Sequence, residues 1–193
     1  FTPKIDALYS AHTYTYAGKD VPWLMKKWAE ATPEKVFLIW EPKEGESLSW
    51  TYAEFYKAMN QVACGLIANG VKKGDKVLIR AENCPEMMIA WYASAIVGSV
   101  AVTTNTRCIG DELTYFAEHS EAVVCVTQPK FVAELAANAK TIKTFIVTAD
   151  NSGEEASAEE KAAASAHKTF ASLSTHGDEA PARPAEPMLP VGI

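Results

Sequence analysis

The chain has 193 residues, of which 48% are hydrophobic and 22% charged, and its formal net charge at pH 7 is -6. This composition is typical of a folded globular protein and argues against wholesale disorder. An acidic surface repels phosphate backbones, so we expect no general nucleic-acid binding. No apolar run reaches the length of about 18 residues that a membrane span needs.

The cysteines stand far apart, and neither a C-x-x-C pair nor a matching histidine pattern accompanies them. We therefore expect no metal site and interpret the cysteines as free thiols packed in a reducing compartment. The N-terminus also lacks the layout of a signal peptide. Together these features predict a cytoplasmic protein. The residues concerned are Cys64, Cys84, Cys108 and Cys125.

An irregular aromatic arm and one helix are predicted for residues 1–35. The helix is expected over 21–31, where apolar residues recur at helical spacing and Asp20 can cap the first turn. Two short apolar segments follow, at 36–41 and 47–50, and a polar turn separates them. This arrangement predicts a β-hairpin.

The next helix has the clearest pattern in the chain and is expected between residues 51 and 70. Thr51 and Glu54 have the spacing of a capping box, and Gly70 suits the left-handed residue just past a helix end. The apolar residues recur at helical spacing and form one stripe: Tyr52, Phe55, Met59, Val62, Ala63, Leu66 and Ile67.

Four apolar strands then alternate with amphipathic helices. The helix after the first of them is expected to be capped by Asn83 and to end at Gly98. Continuous apolar strands between such helices predict an α/β fold, a doubly wound and mainly parallel sheet with helices on both faces. We assign this subdomain to residues 36–149. The predicted strands are 76–81, 100–105, 122–127 and 144–149.

The composition changes at Asp150 to alanine, glutamate, serine, lysine and proline. We interpret residues 150–187 as a low-complexity excursion or linker that is mobile except at anchors such as Phe170 and Leu173. Residues 188–193 return to an apolar, strand-like pattern.

The sequence holds no G-x-G-x-x-G after a predicted strand and no G-x-x-x-x-G-K-[ST], so neither common phosphate cradle is present. No G-x-S-x-G and no H-E-x-x-H is found either. From the residues alone, we assign no catalytic residue.

One long segment, "SWTYAEFYKAMNQVACGLIANGVKKGDKVLIRAENCPE", resembles the N-terminal region of the AMP-forming adenylating enzymes. This superfamily contains acyl-CoA synthetases, luciferases and peptide-synthetase adenylation domains. A second block, "ASAIVGSVAVTTNTR", continues the resemblance, although Thr103 and Thr106 stand where prolines are common. The matching residues of the first block are Thr51, Tyr52, Glu54, Phe55, Asn60, Ala63, Leu66, Gly70, Val71, Gly74, Asp75, Val77, Asn83 and Glu86.

The resemblance implies a two-step ligation. A carboxylate would attack the α-phosphate of ATP to give an acyl-adenylate and pyrophosphate, and the CoA thiol would then displace AMP. It thus implies ATP, CoA and Mg²⁺ as cofactors and a small carboxylic acid as substrate. "KGDKVLIRAENCPE" is similar to crotonobetaine/carnitine-CoA ligases and short- or medium-chain relatives. Two alternatives stay open: an adenylation domain that loads a carrier protein, and a non-catalytic module that binds a nucleotide or partner. Oligomeric state also stays open.

In the family, a strand like residues 188–193 leads into the loop that wraps the ATP phosphates. We therefore expect the chain to be the N-terminal fragment of an acyl-CoA synthetase, inactive alone and without a bound cofactor.

The candidate binding residues are Thr104 and Asn105, at the carboxyl end of the predicted strand 100–105, and Arg107, which follows that strand. Open α/β sheets place ligands at that end of their strands. The resemblance implies that this region lies near CoA, so Arg107 is a candidate for holding a CoA phosphate. A structural ion pair is the alternative, and the sequence favours it.

Overall fold

The computed structural model describes residues 19–149 and 155–181, and every structural statement below concerns these residues. The predicted N-terminal arm, up to residue 18, and the predicted strand at 188–193 lie outside them.

Helix α1 spans Val21–Ala31, as predicted, and Asp20 caps it by accepting a hydrogen bond from the Trp23 backbone N–H at 2.9 Å. Strands β1 (Val36–Trp40) and β2 (Leu48–Thr51) form the predicted antiparallel hairpin. The hairpin is a two-stranded sheet of its own and does not join the parallel sheet, which begins only at the next strand.

Helix α2 spans Tyr52–Ala68, and its predicted capping box is present in full. The Glu54 N–H donates to the Thr51 hydroxyl at 3.2 Å, and the Thr51 N–H donates to the Glu54 carboxylate at 2.8 Å. Gly70 has a φ of +89°, the left-handed conformation predicted for the residue past the helix end. One face of α2 is buried, because most of the predicted apolar stripe packs against the rest of the fold. Ile67 is the exception: it lies near the end of the helix and is 44% exposed, so its assignment to the buried stripe is wrong.

The five remaining strands form one sheet in the order β4-β3-β5-β6-β7, with every neighbouring pair parallel. Helices connect successive strands, which is the doubly wound arrangement that the sequence predicts. The elements are β3 (Lys76–Arg80), α3 (Pro85–Val97), β4 (Val100–Thr103), α4 (Asp111–Ser120), β5 (Val124–Thr127), a 3₁₀ turn (Pro129–Phe131), α5 (Val132–Asn138), β6 (Thr144–Val147), α6 (Ala158–Ser165), β7 (Lys168–Thr169) and a second 3₁₀ helix (Phe170–His176).

Alternate side chains of each strand enter two separate cores, because successive strand residues point to opposite faces. On one face, which we call the α2–α3 face, Val77 and Ile79 of β3 pack with buried residues of α2 and α3. On the other, the α4–α5 face, Leu78 of β3 packs with Leu113 of α4 and Leu135 of α5. Helices therefore cover both faces of the sheet, as predicted.

The prediction that Asn83 caps α3 is wrong. The helix begins one residue later, with Cys84 in the N-cap position and no side-chain hydrogen bond to the first turn. Pro85 disfavours a helical conformation for the residue before it, and Cys84 accordingly has extended φ and ψ angles. Gly98 does end the helix, in the left-handed conformation.

Residues 155–181 carry elements that the composition did not predict beyond one loose helix. Strand β7 extends the parallel sheet beside β6, and the following 3₁₀ helix packs on α2. The predicted anchors Phe170 and Leu173 are both buried in the core of the α2–α3 face. Helix α6, in contrast, has no buried residue, in keeping with its polar composition. The domain boundaries drawn from the composition stay a prediction.

Candidate functional site at the carboxyl edge of the sheet

The carboxyl ends of the parallel strands meet at one edge of the sheet. The chain leaves β3 for β4 on one side and later returns to β5 on the other side of β3. In open α/β sheets, ligands bind outside the carboxyl ends of the strands at such a reversal of strand order. The loops that follow β3, β4 and β5 are therefore the expected position of a ligand-binding site.

The loop after β4, residues 104–110, carries all three candidate residues. It is tied to β3 by the Thr104 N–H, which donates to the Ile79 carbonyl at 3.1 Å. The Asn105 side-chain oxygen accepts the Arg107 N–H at 2.9 Å, and the Asn105 carbonyl accepts the Cys108 N–H at 3.1 Å. These two bonds form a tight turn with Arg107 on its outer side. Asn105 thus shapes the loop through its side chain.

Arg80, the last residue of β3, binds the same loop through its buried side chain. Its side chain is 1% exposed. One terminal nitrogen, Nη2, donates to the carbonyls of Thr106 at 3.0 Å and Cys108 at 2.6 Å. The other, Nη1, forms an ion pair with Glu134 of α5 at 2.8 Å. The guanidinium carbon also lies 4.6 Å from the centre of the Phe131 ring, a cation–π contact.

A second ion pair links the loops after β3 and β5. Lys130 Nζ lies 2.6 Å from a carboxylate oxygen of Glu82. The Glu82 N–H donates to the side-chain oxygen of Gln128 at 2.8 Å, and the Thr127 hydroxyl donates to the Arg80 carbonyl at 2.8 Å. The carboxyl ends of β3 and β5 are therefore cross-linked by an ion pair and two hydrogen bonds.

Arg107 differs from these paired groups, because its side chain is exposed and makes no ion pair with any residue of the described ranges. The structural ion pair that the sequence favoured is therefore not found there. Arg80 and Lys130 are paired with Glu134 and Glu82, whereas Arg107 has no ion-pair partner in the part of the chain that the structure describes.

Buried polar atoms without a hydrogen-bond partner gather at the same edge. Among the described residues they include the Nε of Arg80, the hydroxyl of Thr104, the side-chain nitrogen of Gln128 and the hydroxyl of Thr148. Buried polar groups without partners are rare in folded proteins. Their concentration beside the strand reversal marks this edge as polar in an otherwise apolar sheet.

Two buried thiols near this edge, Cys125 and Cys84, are not reactive groups. Complete burial raises the pKa of Cys125 to about 12, against the ordinary value of 9.0, and the nearby Arg80 charge opposes this only in part. Burial, followed by the charge of Glu86, raises the pKa of Cys84 to about 12. Thiolate nucleophiles need a lowered pKa, so neither cysteine is a candidate nucleophile. All four cysteines are free thiols.

A cavity of about 290 Å³ lies at the start of α3, between that helix and β1. Most of its lining is apolar, and none of the three candidate residues lines it: Leu38, Trp40, Asn83, Cys84, Pro85, Met87 and Met88. Within the described residues, Asn105 and Arg107 are exposed on the surface of the loop. Such a surface suits a charged group of a ligand better than an apolar one.

Sequence reasoning found the loop but missed Arg80, which organises it. The available signal was a charged residue at the end of the apolar strand "KVLIR". A buried charge needs a partner, so this arginine could have been assigned one in the neighbouring loops. Which partner it takes depends on the fold, because Glu134 is 54 residues away in sequence.

Within the described ranges, no cluster of three or more histidine, cysteine, aspartate or glutamate side chains could hold a metal ion. None of the helices in those ranges is both long and apolar enough to cross a membrane.

The chain belongs to the family described as AMP-binding enzyme, which it matches over residues 25–190. It is 31% identical over 114 residues to the crotonobetaine/carnitine–CoA ligase of Citrobacter koseri, a match covering 59% of this chain and 22% of that protein. The chain thus spans about a fifth of the length of the curated relatives that it matches.

Solved structures show the same fold. The N-terminal domain of FACL13 from Mycobacterium tuberculosis superposes with a TM-score of 0.70 at 22% identity, over 91% of this chain and 41% of that one. The acetoacetyl-CoA synthetase of Streptomyces lividans superposes with a TM-score of 0.73 at 22% identity, over 90% of this chain and 27% of that one. The α/β fold expected from the family resemblance is confirmed.

Proposed function

We propose that this chain is the N-terminal part of an AMP-forming acyl-CoA ligase. In the first step, a carboxylate oxygen of the substrate attacks the α-phosphorus of ATP and pyrophosphate leaves. In the second, the CoA sulfur attacks the acyl carbonyl carbon and AMP leaves. Membership of the AMP-binding enzyme family supports the first step. The name of the similar Citrobacter koseri protein supports CoA as the acceptor and a crotonobetaine- or carnitine-like acid as the substrate.

In this enzyme, the chain's own contribution is the loop at residues 104–110, which we propose binds a phosphate of CoA through Arg107. The observation that carries this assignment is an exposed arginine without an ion partner in the described ranges, at the strand end where α/β sheets bind ligands. A guanidinium can grip a phosphate through two parallel, charge-assisted hydrogen bonds. Asn105 and Thr104 shape and anchor the loop.

The described residues of this edge suit a phosphate group of CoA, and they do not suit a Mg²⁺ ion. Phosphate oxygens need donors, which Arg107 supplies, whereas Mg²⁺ needs carboxylate oxygens with free coordination capacity. Glu82 and Glu134, which lie at this edge, are both engaged in ion pairs, and the described residues hold no cluster of three or more possible metal ligands. We therefore propose no role for these residues as Mg²⁺ ligands.

The test is Arg107→Ala in the longer enzyme that carries this chain. The variant should raise the KM for CoA by about 10- to 150-fold, which corresponds to the roughly 1.5–3 kcal/mol typical of hydrogen bonds to charged groups. Carboxylate-dependent ATP–pyrophosphate exchange should be nearly unchanged, because acyl-adenylate formation needs no CoA.

Lys143→Ala is the matched control, because it removes one exposed positive charge just before β6, at the opposite edge of the sheet. It should leave both half-reactions unchanged. If Arg107→Ala lowers thermal stability and depresses both half-reactions together, Arg107 is structural and the assignment fails.

An adenylation domain that loads a carrier protein is the second candidate, since the fold and the first half-reaction are common to both. The same purified enzyme separates the two candidates. Thioester formation with free CoA supports the ligase, and transfer only to a protein-bound thiol supports the adenylation domain. The cytoplasmic location stays a prediction.

A further inference from the structure

We propose that Arg80 is a positioning residue for CoA, which holds the Arg107 loop in its phosphate-binding shape without touching the ligand. This inference rests on the proposed function, because it takes the Arg107 loop as the CoA site. It concerns the buried residue beneath that loop.

The contacts of Arg80 bracket Arg107 along the chain. The carbonyls that Arg80 bonds belong to Thr106 and Cys108, the residues immediately before and after Arg107. The backbone on both sides of Arg107 is thus fixed to the end of β3, while the Arg107 side chain stays exposed. Binding to a preorganised loop avoids the entropy cost of ordering it at the moment of binding.

Burial makes these contacts obligatory in the folded protein. The Arg80 side chain is 1% exposed, so its charge has no water to replace a lost partner. Glu134 on α5 neutralises that charge, and Phe131 packs against the guanidinium plane. Because α5 belongs to the packed α4–α5 face, Arg80 connects the loop to a rigid layer of the fold.

The neutralised charge also shows why Arg80 itself is not the phosphate ligand. Its terminal nitrogens are taken by Glu134 and the two carbonyls. Only its Nε lacks a partner in the described ranges, and that atom is buried. The exposed cation of the loop is Arg107, so Arg80 acts through Arg107.

Lysine cannot reproduce this arrangement. A guanidinium presents several donors in a planar fork and can reach a carboxylate and two carbonyls in different directions. An ammonium on a flexible stem is a point charge with three donors around one atom. Arg80→Lys therefore keeps the charge and loses the simultaneous hold on both sides of Arg107.

The matched control is Thr127→Val. The Thr127 hydroxyl donates to the Arg80 carbonyl, and both residues are buried at the same strand ends. Thr127→Val thus removes a buried hydrogen bond from the backbone of Arg80 and leaves its guanidinium contacts in place. It reports what general destabilisation of this edge does.

The first measurement is amide hydrogen exchange of residues 106–109 in the ligand-free enzyme. Arg80→Lys should accelerate exchange there, with exchange in α2 unchanged, and Thr127→Val should not accelerate it in the loop. Should Arg80→Lys fail to fold, Glu134→Gln takes its place, because Glu134 is partly exposed and glutamine keeps an acceptor while removing the counter-charge.

The second measurement is the KM for CoA beside pyrophosphate exchange. Arg80→Lys should raise the KM for CoA by about three- to tenfold, equivalent to up to about 1.4 kcal/mol, with exchange unchanged. Combined with Arg107→Ala, it should add no further rise, because both changes act on one contact.

The outcomes separate the two proposals. If Arg107→Ala raises the KM for CoA and Arg80→Lys does not, the positioning role is overturned and the proposed function stands. An equal rise in Thr127→Val also overturns the positioning role. If Arg107→Ala leaves CoA binding unchanged, the assignment of the loop to CoA fails, and unchanged loop exchange in Arg80→Lys would overturn the positioning role as well.

Discussion

The two faces of the sheet are built in different ways. The α2–α3 face is large and apolar, and even its last addition, the 3₁₀ helix at Phe170–His176, joins through buried apolar contacts. The α4–α5 face has a smaller apolar core, and at its carboxyl edge a buried arginine and its ion pair replace apolar packing. The first arrangement stabilises the fold, and the second holds a loop in place. Substitutions on the α2–α3 face should therefore lower the stability of the fold, whereas substitutions at the carboxyl edge of the α4–α5 face should alter the loop.

The largest effect is expected for Leu173→Ala on the α2–α3 face. Leu173 is fully buried against α2, so its truncation leaves a cavity and should cost about 2–5 kcal/mol of unfolding free energy. Urea denaturation measures this loss. A loss of unfolding free energy near zero would mean that the 3₁₀ helix is not packed on α2. It would contradict the difference drawn between the two faces.

Gly65→Ala tests the same contact from the other side. An added Cβ would lie 2.5 Å from the Leu173 Cβ and 2.6 Å from its Cα, so the 3₁₀ helix would have to shift. Alanine is a better helix former than glycine by roughly 0.5–1 kcal/mol. Overpacking typically costs about 1–3 kcal/mol, so we expect a net loss of stability. Gln61→Ala, on the same helix, is the control and should change little; a stabilised Gly65→Ala variant would contradict the contact.

Two buried thiols should lower the stability of the fold at alkaline pH. One is Cys125 on the α4–α5 face, and the other is Cys84 at the start of α3. The folded protein keeps Cys125 and Cys84 protonated up to about pH 12, whereas the unfolded chain loses these protons near pH 9.0. Since the unfolded state then binds fewer protons, stability falls as the pH rises through this window. At pH 10 the loss is on the order of 1 kcal/mol for each thiol.

Denaturation curves at pH 8 and pH 10 measure the loss, and the variant with alanine at both positions is the control. That variant should lose less stability between the two pH values than the wild type. Equal losses would show that other groups carry the alkaline effect.

The smallest effects come from two capping boxes with the same geometry, at Thr51 and Ser157. Thr51→Ala should lower the global unfolding free energy by about 1 kcal/mol, because α2 has a large buried face. Ser157→Ala should leave it unchanged, because α6 has no buried residue and can open locally. Parallel urea curves compare them, and a larger loss for Ser157→Ala would reverse the comparison.

The fold could be predicted from the sequence wherever local patterns decide the structure. The capping box and apolar stripe of α2 depend on spacing within one helix, and both are confirmed except for Ile67 of the stripe, which is exposed. The strands beyond Lys76 were found because buried parallel strands are continuously apolar. The missed strand β7 has only two residues, both exposed, so its pairing with β6 leaves no apolar pattern to read.

The site was predictable only in part, because some of its contacts depend on the tertiary fold and not on local sequence patterns. Arg107 follows a recognisable strand, so its position at the sheet edge could be deduced. The hold of Arg80 on the loop requires β3, β4 and α5 to meet, which is a property of the tertiary fold. The N-cap of α3 was predicted one residue too early, at Asn83, because asparagine is the better capping side chain. Pro85 overrides that preference and places Cys84 at the N-cap.

The most direct test of the account compares one variant from each face in the same assay. Gly65→Ala and Arg80→Lys are each assayed in the longer enzyme for melting temperature, pyrophosphate exchange and the KM for CoA. We expect Gly65→Ala to lower the melting temperature and to leave the KM for CoA unchanged, whereas Arg80→Lys should raise that KM and leave pyrophosphate exchange unchanged. Equal changes in the KM for CoA from the two variants would contradict the assignment of the Arg107 loop and its buried support to CoA binding.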